Sequence, residues 1–479
     1  MVTHFIAGEY VSSNGSATKD VINPATGDVV DTVPRGTVDD VNDAVQAAAA
    51  AFPGWWETPA AKRGAIMYEA VKAIRANVDD LARLLTSEQG KPLAEARMEI
   101  HRFAYTIEHY AGLAKNLRGG YVPNLDENAH GLILKRPYGV CAAIVPWNFP
   151  LSLLGNKVGP ALVAGNTMVI KPAETTPLTD VKVIELMSRA GLPPGVLNLV
   201  IGQGSVVGQR LLEHPTIAKV GFTGSTEVGR RVMATAAETI KRVTLELGGS
   251  DPLIVCDDAD VDQAVSAASV GRFFNCGQAC LAIKRIFVFE AVVDEFTDKL
   301  VAKVNRLTVG PGTEPRVRLG PLHTPEQRAE VEDQVRDAVE RGATVLTGGK
   351  RPEGQQYENG NFYLPTVLTD VDPAAKVLTE EVFGPAVPIV PVKDLDEALA
   401  RANDSIFGLG SSIWTNDINK ATRAAEKLEA GYTWINSVAK IYDELPFGGF
   451  KQSGLGQEHG IEAIDHYMAT KAVVVKTLE

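Results

Sequence analysis

From residue 140 onward, short apolar runs recur between stretches of helical spacing. The runs are MVIKP (168–172), VLNLVIG (196–202), KVGFTG (219–224), TLELGG (244–249), PLIVCDD (252–258), RIFVFE (285–290), ATVLTGG (343–349) and AVPIVPV (386–392). Runs this short and apolar suit strands buried on both faces, and parallel strands need helical crossovers between them. The alternation therefore predicts an α/β chain built on parallel sheets. Upstream, GLILKRPYGVCAAIVPW (131–147) reads as extended strands.

The first third has another texture. Residues 5–35 hold β-like pieces broken by Gly and Pro, as in Asn23-Pro24-Ala25-Thr26-Gly27. Thr37, three residues before Asp40, has the spacing of a helix cap, and Val41, Ala44, Val45 and Ala48 form an apolar stripe behind it. Residues 60–89 read as two helices with Asn77 as N-cap of the second, ended by Gly90 and Pro92. Gly119, Gly120 and Pro123 mark a change of texture, and the closing KAVVVKTLE is a strand that needs a partner sheet.

At roughly 100–200 residues per domain, a chain of 479 residues holds two to four domains. Its net charge of −12 argues against a nucleic-acid partner, which selects for basic surfaces. No stretch reaches about 18 apolar residues and no secretory leader pattern is evident, so neither a membrane span nor export is expected. The four cysteines, Cys141, Cys256, Cys276 and Cys280, make no disulfide framework and fit a cytoplasmic location. No His stands at ligand spacing from Cys276 and Cys280, so no metal is expected.

Four segments carry groups able to do chemistry. In FFNCGQAC, Cys280 follows a helical stretch and is either a nucleophile or an ordinary buried thiol. In TLELGG, alternation puts Thr244 and Glu246 on one side of a strand and Val243, Leu245 and Leu247 on the other. Burial there would raise the carboxyl pKa, as a general base needs; the alternative is a solvated edge strand. VPWNFP (145–150) is a rigid turn whose Asn148 amide could face an oxyanion, or a plain structural turn. FTGSTEVG (222–229) resembles a glycine turn opening a helix toward a phosphate, although it is neither G-x-G-x-x-G nor a P-loop.

These segments, with KPAE (171–174), EEVFGP (380–385) and PFGGFKQSGLG (446–456), occur in an order that closely resembles the aldehyde dehydrogenase superfamily. The resemblance implies a Rossmann-like cofactor domain (1–118 and 139–247), an α/β catalytic domain (248–447) and a small β bridging or oligomerisation element (119–138 and 448–479). It implies that Cys280 attacks the aldehyde carbon, that Asn148 and the Cys280 amide hold the oxyanion, and that Glu246 activates the water that hydrolyses the thioester. It places the cofactor on Val145, Pro146, Trp147, Lys171, Glu174, Gly204, Gly224, Ser225, Leu247, Glu381 and Phe383. The cofactor is expected to be NAD, with NADP weaker because its extra phosphate would face Glu174. The partners are expected to be an aldehyde and further copies of the chain, as a homodimer or homotetramer. One departure is Gln457, where many relatives carry Arg before the position of Glu458.

A CoA-acylating semialdehyde dehydrogenase is a rival inside the family, disfavoured because Glu246 is present to activate water. A non-catalytic protein on the same fold would lose the thiol or the base, and a Cys-His hydrolase would need a partner His. Phe103, Phe149, Leu153, Phe274 and Ala279 are expected to line the pocket and to favour an apolar aldehyde, while Arg272 and Lys284 leave a carboxylated one open. The roles of Cys276 and of Lys284-Arg285 are left open.

Overall fold

The computed structural model describes residues 2–477. Helix Val38–Glu57 opens where the capping spacing predicts: Thr37 Oγ1 accepts from Asp40 N at 3.3 Å, and Asp40 Oδ2 accepts from Thr37 N at 2.7 Å. Helices Ala60–Ala76 and Val78–Gln89 follow, and Gly90 closes the second at φ +100°. Asn77 departs from expectation. Its backbone (φ −115°, ψ 16°) is not the extended form an N-cap needs, and its side chain donates back to Ala73 O at 2.8 Å. It therefore ends one helix without capping the next.

Three sheets organise the rest. The first has eight strands, in the order Glu9–Val11, His4–Ile6, Leu197–Leu199, Thr167–Lys171, Val140–Ile144, Ile217–Thr223, Arg242–Glu246 and Gly454–Leu455. Its five middle strands are parallel, and the outer ones pair antiparallel. The second has seven: Thr344–Thr347, Thr366–Thr369, Ala386–Val392, Ile283–Phe289, Asp251–Val255, Gly410–Trp414 and Tyr432–Ile435. Only Thr344–Thr347 is antiparallel there. The third is an antiparallel ribbon of Met468–Lys476, Ala129–Pro137 and Gly120–Asp126.

The strand period of two divides each parallel sheet between two cores. Cys141 and Ala143 join the helices of residues 60–189 on one face of the first sheet, while Val140, Ala142 and Ile144 join Val41, Ala44 and Val45 on the other. In the second sheet Leu253 and Val255 face one core and Ile254 and Cys256 the other. Residues 448–479 do not all join the terminal ribbon, because Gly454–Leu455 extends the first sheet beside Arg242–Glu246. Among the described residues, no helix is long and apolar enough to cross a membrane.

The two large sheets meet through Leu247, Gly248, Gly249 and Ser250, which carry the chain from the end of Arg242–Glu246 to the start of Asp251–Val255. Glycine is required in that link. A Cβ on Gly248 would collide with the Glu381 carboxylate, and one on Gly249 would lie 2.7 Å from Cys280 O. Both glycines thus admit a close approach of other segments of the same chain.

Candidate active site

Helix Val261–Phe273 runs into a turn in which Asn275 (φ 51°), Cys276 (φ 55°) and Gly277 (φ 74°) are successively left-handed. Two non-glycine residues in that region hold it only when their surroundings fix them. Asn275 N donates to Glu95 Oε2 at 2.9 Å, Asn275 Nδ2 to Asn148 O at 2.9 Å, and Gln278 Nε2 to Asn275 O at 2.9 Å. Arg272, fully buried, donates to Ile283 O (3.1 Å), Val382 O (3.0 Å) and Gly384 O. The turn separates the two thiols. Cys276 is 1% exposed inside a hydrophobic core and burial drives its pKa far up, whereas Cys280 is half-buried at the surface of the turn.

Burial pushes the Cys280 thiol up to about 12; Lys284 opposes the rise, and Glu381, Asp251 and Glu246 add to it. Lys284, whose role the sequence leaves open, is fully buried and holds the thiol segment. Its Nζ donates to Ala279 O at 2.9 Å and Cys280 O at 2.5 Å, and lies 3.2 Å from Glu381 Oε1. Arg285 donates to Ser250 O at 2.8 Å and Ala402 O at 2.9 Å, so it braces the sheet beneath.

Glu246 is the last residue of its strand and 3% exposed, which excludes the solvated-edge alternative. Thr244 is also buried, because antiparallel Gly454–Leu455 and the residues after it cover that side. Neither Glu246 carboxyl oxygen has a hydrogen-bond partner among the described residues. Its pKa lies well above the usual carboxylate range, through burial first and the Glu458 charge second, with Lys157 opposing. Glu458 is held by Lys157 Nζ at 2.6 Å and by Asn156 Nδ2 at 3.0 Å, so helix Pro150–Ala164 supplies its cation in the absence of an Arg at 457. Lys157 also donates to Thr223 Oγ1 at 2.6 Å. The result is a polar chain from helix to sheet beside Glu246.

Asn148 is buried, and its Nδ2 donates to Gln278 O at 3.1 Å, which fixes the amide on the thiol turn two residues before Cys280. Its carbonyl accepts from Lys91 Nζ at 2.7 Å. Val145 N donates to Lys171 O at 3.1 Å and joins adjacent strand ends. Trp147 stands edge-on to Phe383 at 5.7 Å. Glu381 accepts from Gly249 N at 3.0 Å, on the thiol side of the site.

Beyond the strand Thr167–Lys171, Lys171 Nζ donates, among the described residues, only to Pro172 O, at 2.9 Å, and burial lowers its pKa to about 8. Glu174 Oε1 is buried without a hydrogen bond and lies 3.8 Å from Arg35 Nε. The wide turn Gly204–Gly208 passes over Lys171, and a Cβ on Gly208 would lie 3.6 Å from Lys171 Cδ. Ser225 Oγ caps helix Thr226–Ala237 through Val228 N at 3.4 Å, and a Cβ on Gly229 would strike Leu247. A carboxylate oxygen without a hydrogen bond among the described residues, a buried ammonium and a helix N-terminus form a donor and acceptor set that fits a ribose and a pyrophosphate.

Around the thiol, Phe149 and Phe274 stack at 5.7 Å and 8°, and both, like Leu153, are half-buried. Phe103 is a correction: it is fully buried against Gly155 and backs the wall without lining it. Reading the sequence missed Leu281 and Ile441, which pack with Cys280 on Leu409, Tyr432, Trp434 and Phe447. The last group comes from strands and loops 130–170 residues downstream, so no local spacing could reveal it.

The model of the aldehyde dehydrogenase family matches residues 10–473. The chain is 43% identical to the succinate-semialdehyde dehydrogenase [NADP(+)] GabD of Escherichia coli (strain K12), over 98% of this chain and 97% of that one. It is 40% identical to the phenylacetaldehyde dehydrogenase of Pseudomonas fluorescens, over 98% and 95% of the two chains. It superposes on betaine aldehyde dehydrogenase from Staphylococcus aureus in complex with NAD+ with a TM-score of 0.97 at 37% identity, covering 99% and 95%. The chain belongs to the aldehyde dehydrogenase family and oxidises an aldehyde to the acid with a nicotinamide cofactor.

Proposed function

We propose that Cys280 is the nucleophile, that Asn148 Nδ2 and the Cys280 amide bind the oxyanion, and that Glu246 is the base that activates water. The observation that carries this is Glu246 itself: a buried carboxyl with both oxygens unpartnered, close enough to the Cys280 thiol to shift its pKa. With a thiol near 12, attack on the carbonyl requires the proton to leave as the C–S bond forms. A raised carboxyl pKa suits Glu246 to take a proton from water. The nicotinamide cofactor supplies the hydride acceptor. Lys171 and Glu174 would hold its adenosine ribose, Gly204, Gly224 and Ser225 its pyrophosphate, and Val145, Pro146, Trp147, Leu247, Glu381 and Phe383 its nicotinamide half. The sheet containing Glu246 would be the cofactor domain, the sheet following Cys280 the catalytic domain, and the ribbon the bridging element.

NAD is the proposed cofactor and NADP the weaker one. A ribose hydroxyl can donate to Glu174, whereas a phosphate there meets a like charge that Arg35 and Lys171 only partly offset. The proposed substrate is an uncharged aldehyde. The stacked Phe149 and Phe274 offer apolar surface, and Arg272 and Lys284 are both engaged by backbone carbonyls, leaving neither free for a substrate carboxylate.

Rapid mixing of Glu246→Gln with NAD and either hexanal or 4-oxobutanoate tests the reading. A burst of reduced cofactor followed by turnover slowed about 100-fold is expected, and faster acylation by hexanal. Loss of the burst would move Glu246 to an earlier step, and preference for 4-oxobutanoate would overturn the substrate class.

We also propose a homo-oligomer built on the ribbon. Met468–Lys476 pairs with Ala129–Pro137 along one edge, while its other edge meets no strand among the described residues, and Tyr121, Leu125 and Val474 are exposed at 62%, 50% and 68%. Removal of residues 471–479 is expected to dissociate or aggregate the protein; a monodisperse active monomer by light scattering would contradict this.

A further inference from the structure

His323 takes no part in the chemistry above, yet it touches the thiol turn, Trp147 and the residue after Glu174. Its backbone N–H donates to Gln278 Oε1 at 2.8 Å, which joins it to the thiol turn. Its ring stacks on the Trp147 indole, with centroids 4.6 Å apart and planes 12° apart. Ring Nδ1 lies 3.2 Å from Gln89 O, and Nε2 lies 2.8 Å from Thr175 Oγ1. A carbonyl oxygen only accepts, so Nδ1 carries the proton, and Nε2 accepts from the Thr175 hydroxyl. Both nitrogens are thereby satisfied in the neutral ring, and burial holds the pKa down at about 4.

The pattern of these contacts is specific. Thr175 follows Glu174, the carboxylate assigned to the ribose, and Trp147 precedes Asn148. Both lie beyond carboxyl ends of first-sheet strands, Thr167–Lys171 and Val140–Ile144. Gln278 lies before the second-sheet strand Ile283–Phe289. One residue therefore ties two first-sheet loops, through its ring, to the thiol turn, through its backbone N–H. Hydrophobic packing alone would be met by a Leu at this place; two directed hydrogen bonds and a stacked ring are more than packing needs.

We propose that His323 is a positioning residue for the dinucleotide, fixing Trp147 and the Glu174–Thr175 turn relative to the thiol turn. The proposal rests on the assignment of Trp147 and Glu174 to the cofactor. Its effect should fall on cofactor affinity more than on the chemical step, because His323 contacts neither Cys280 nor Glu246.

The test is calorimetric titration of the full-length chain with NAD alone, alongside steady-state kinetics. His323→Leu removes ring and bonds and is expected to weaken NAD binding about tenfold; His323→Phe keeps the ring, loses both bonds and is expected to weaken it about threefold. KM for NAD should rise in parallel, while kcat at saturating NAD changes less than about twofold. A merely structural residue would lower the melting temperature and the active fraction without moving the NAD dissociation constant of the folded remainder. Should His323→Leu fail to fold, His323→Phe decides. Unchanged NAD affinity in the His323 variants, with affinity lost in Trp147→Leu, overturns the proposal alone. Unchanged affinity in Trp147→Leu and Glu174→Gln as well overturns the cofactor assignment and this proposal with it.

Discussion

The two large sheets feed the same cleft from opposite ends of their strands. In the first, every contributing segment follows a strand: Trp147 and Asn148 come after Val140–Ile144, Glu174 after Thr167–Lys171, Ser225 after Ile217–Thr223, and Glu246 closes its own strand. This is the ordinary place for a ligand in an open parallel sheet. In the second sheet the contributing residues come before the strands: Cys280 three residues ahead of Ile283–Phe289, and Glu381 ahead of Ala386–Val392. A carboxyl-end site is organised by the strands and the helices that follow them. An amino-end site has no such support, and the structure replaces it with long-range bonds. Arg272 reaches Val382, Lys284 holds the Cys280 carbonyl, and Asn275 is tied to Glu95 and Asn148. The proposed nucleophile thus stands on the side that depends most on tertiary contacts, while Asn148 and Glu246 stand at strand ends of the first sheet.

The sharpest test lies within the thiol turn. Cys280→Ala should abolish dehydrogenation, while Cys276→Ala should keep most of it, and mass spectrometry should find the acyl adduct on Cys280. An adduct on Cys276 would mean that the left-handed turn opens in solution and that the comparison of the two sides fails.

A smaller effect is expected on the first-sheet side. Glu174→Ser should raise kcat/KM with NADP relative to NAD about tenfold, by removing one like charge from the ribose site. If the unmodified enzyme already favours NADP, Glu174 turns toward Arg35, 3.8 Å away, and leaves the ribose.

The smallest effect concerns Glu246 and stability. Its folded pKa is raised, so at a pH below about 4.5 the proton is bound in both states and makes no difference. As pH rises past that value the unfolded chain releases the proton while the folded chain retains it, and stability falls until the folded pKa is passed. Glu246→Gln lacks this loss. Its melting temperature should therefore gain on that of the unmodified protein as pH rises above about 5, on the order of a degree or two. A gap that stays constant with pH would show that Glu246 is better solvated than its burial implies.

Much of the fold was legible in the sequence. The apolar runs located the core strands because a strand buried on both faces has a compositional signature, and Thr37 and Gly90 acted as written because caps are local. Asn77 failed as an N-cap because its backbone conformation, set by the helices on either side, overrode its preference. The order of motifs gave the family, but the expected wall residue Phe103 is fully buried behind Gly155.

By itself the sequence determined the parallel α/β class, the paired helical and strand segments, and which side chains are chemically able to act. These follow from periodicity and residue type, which are properties of neighbours along the chain. Only the tertiary structure decided which of two thiols four residues apart is accessible, that Glu246 is buried with no hydrogen-bond partner among the described residues, and that Lys157 pairs with Glu458. Accessibility and pKa depend on what other segments bring to a point in space, and those segments lie up to 300 residues away, as Lys157 and Glu458 do.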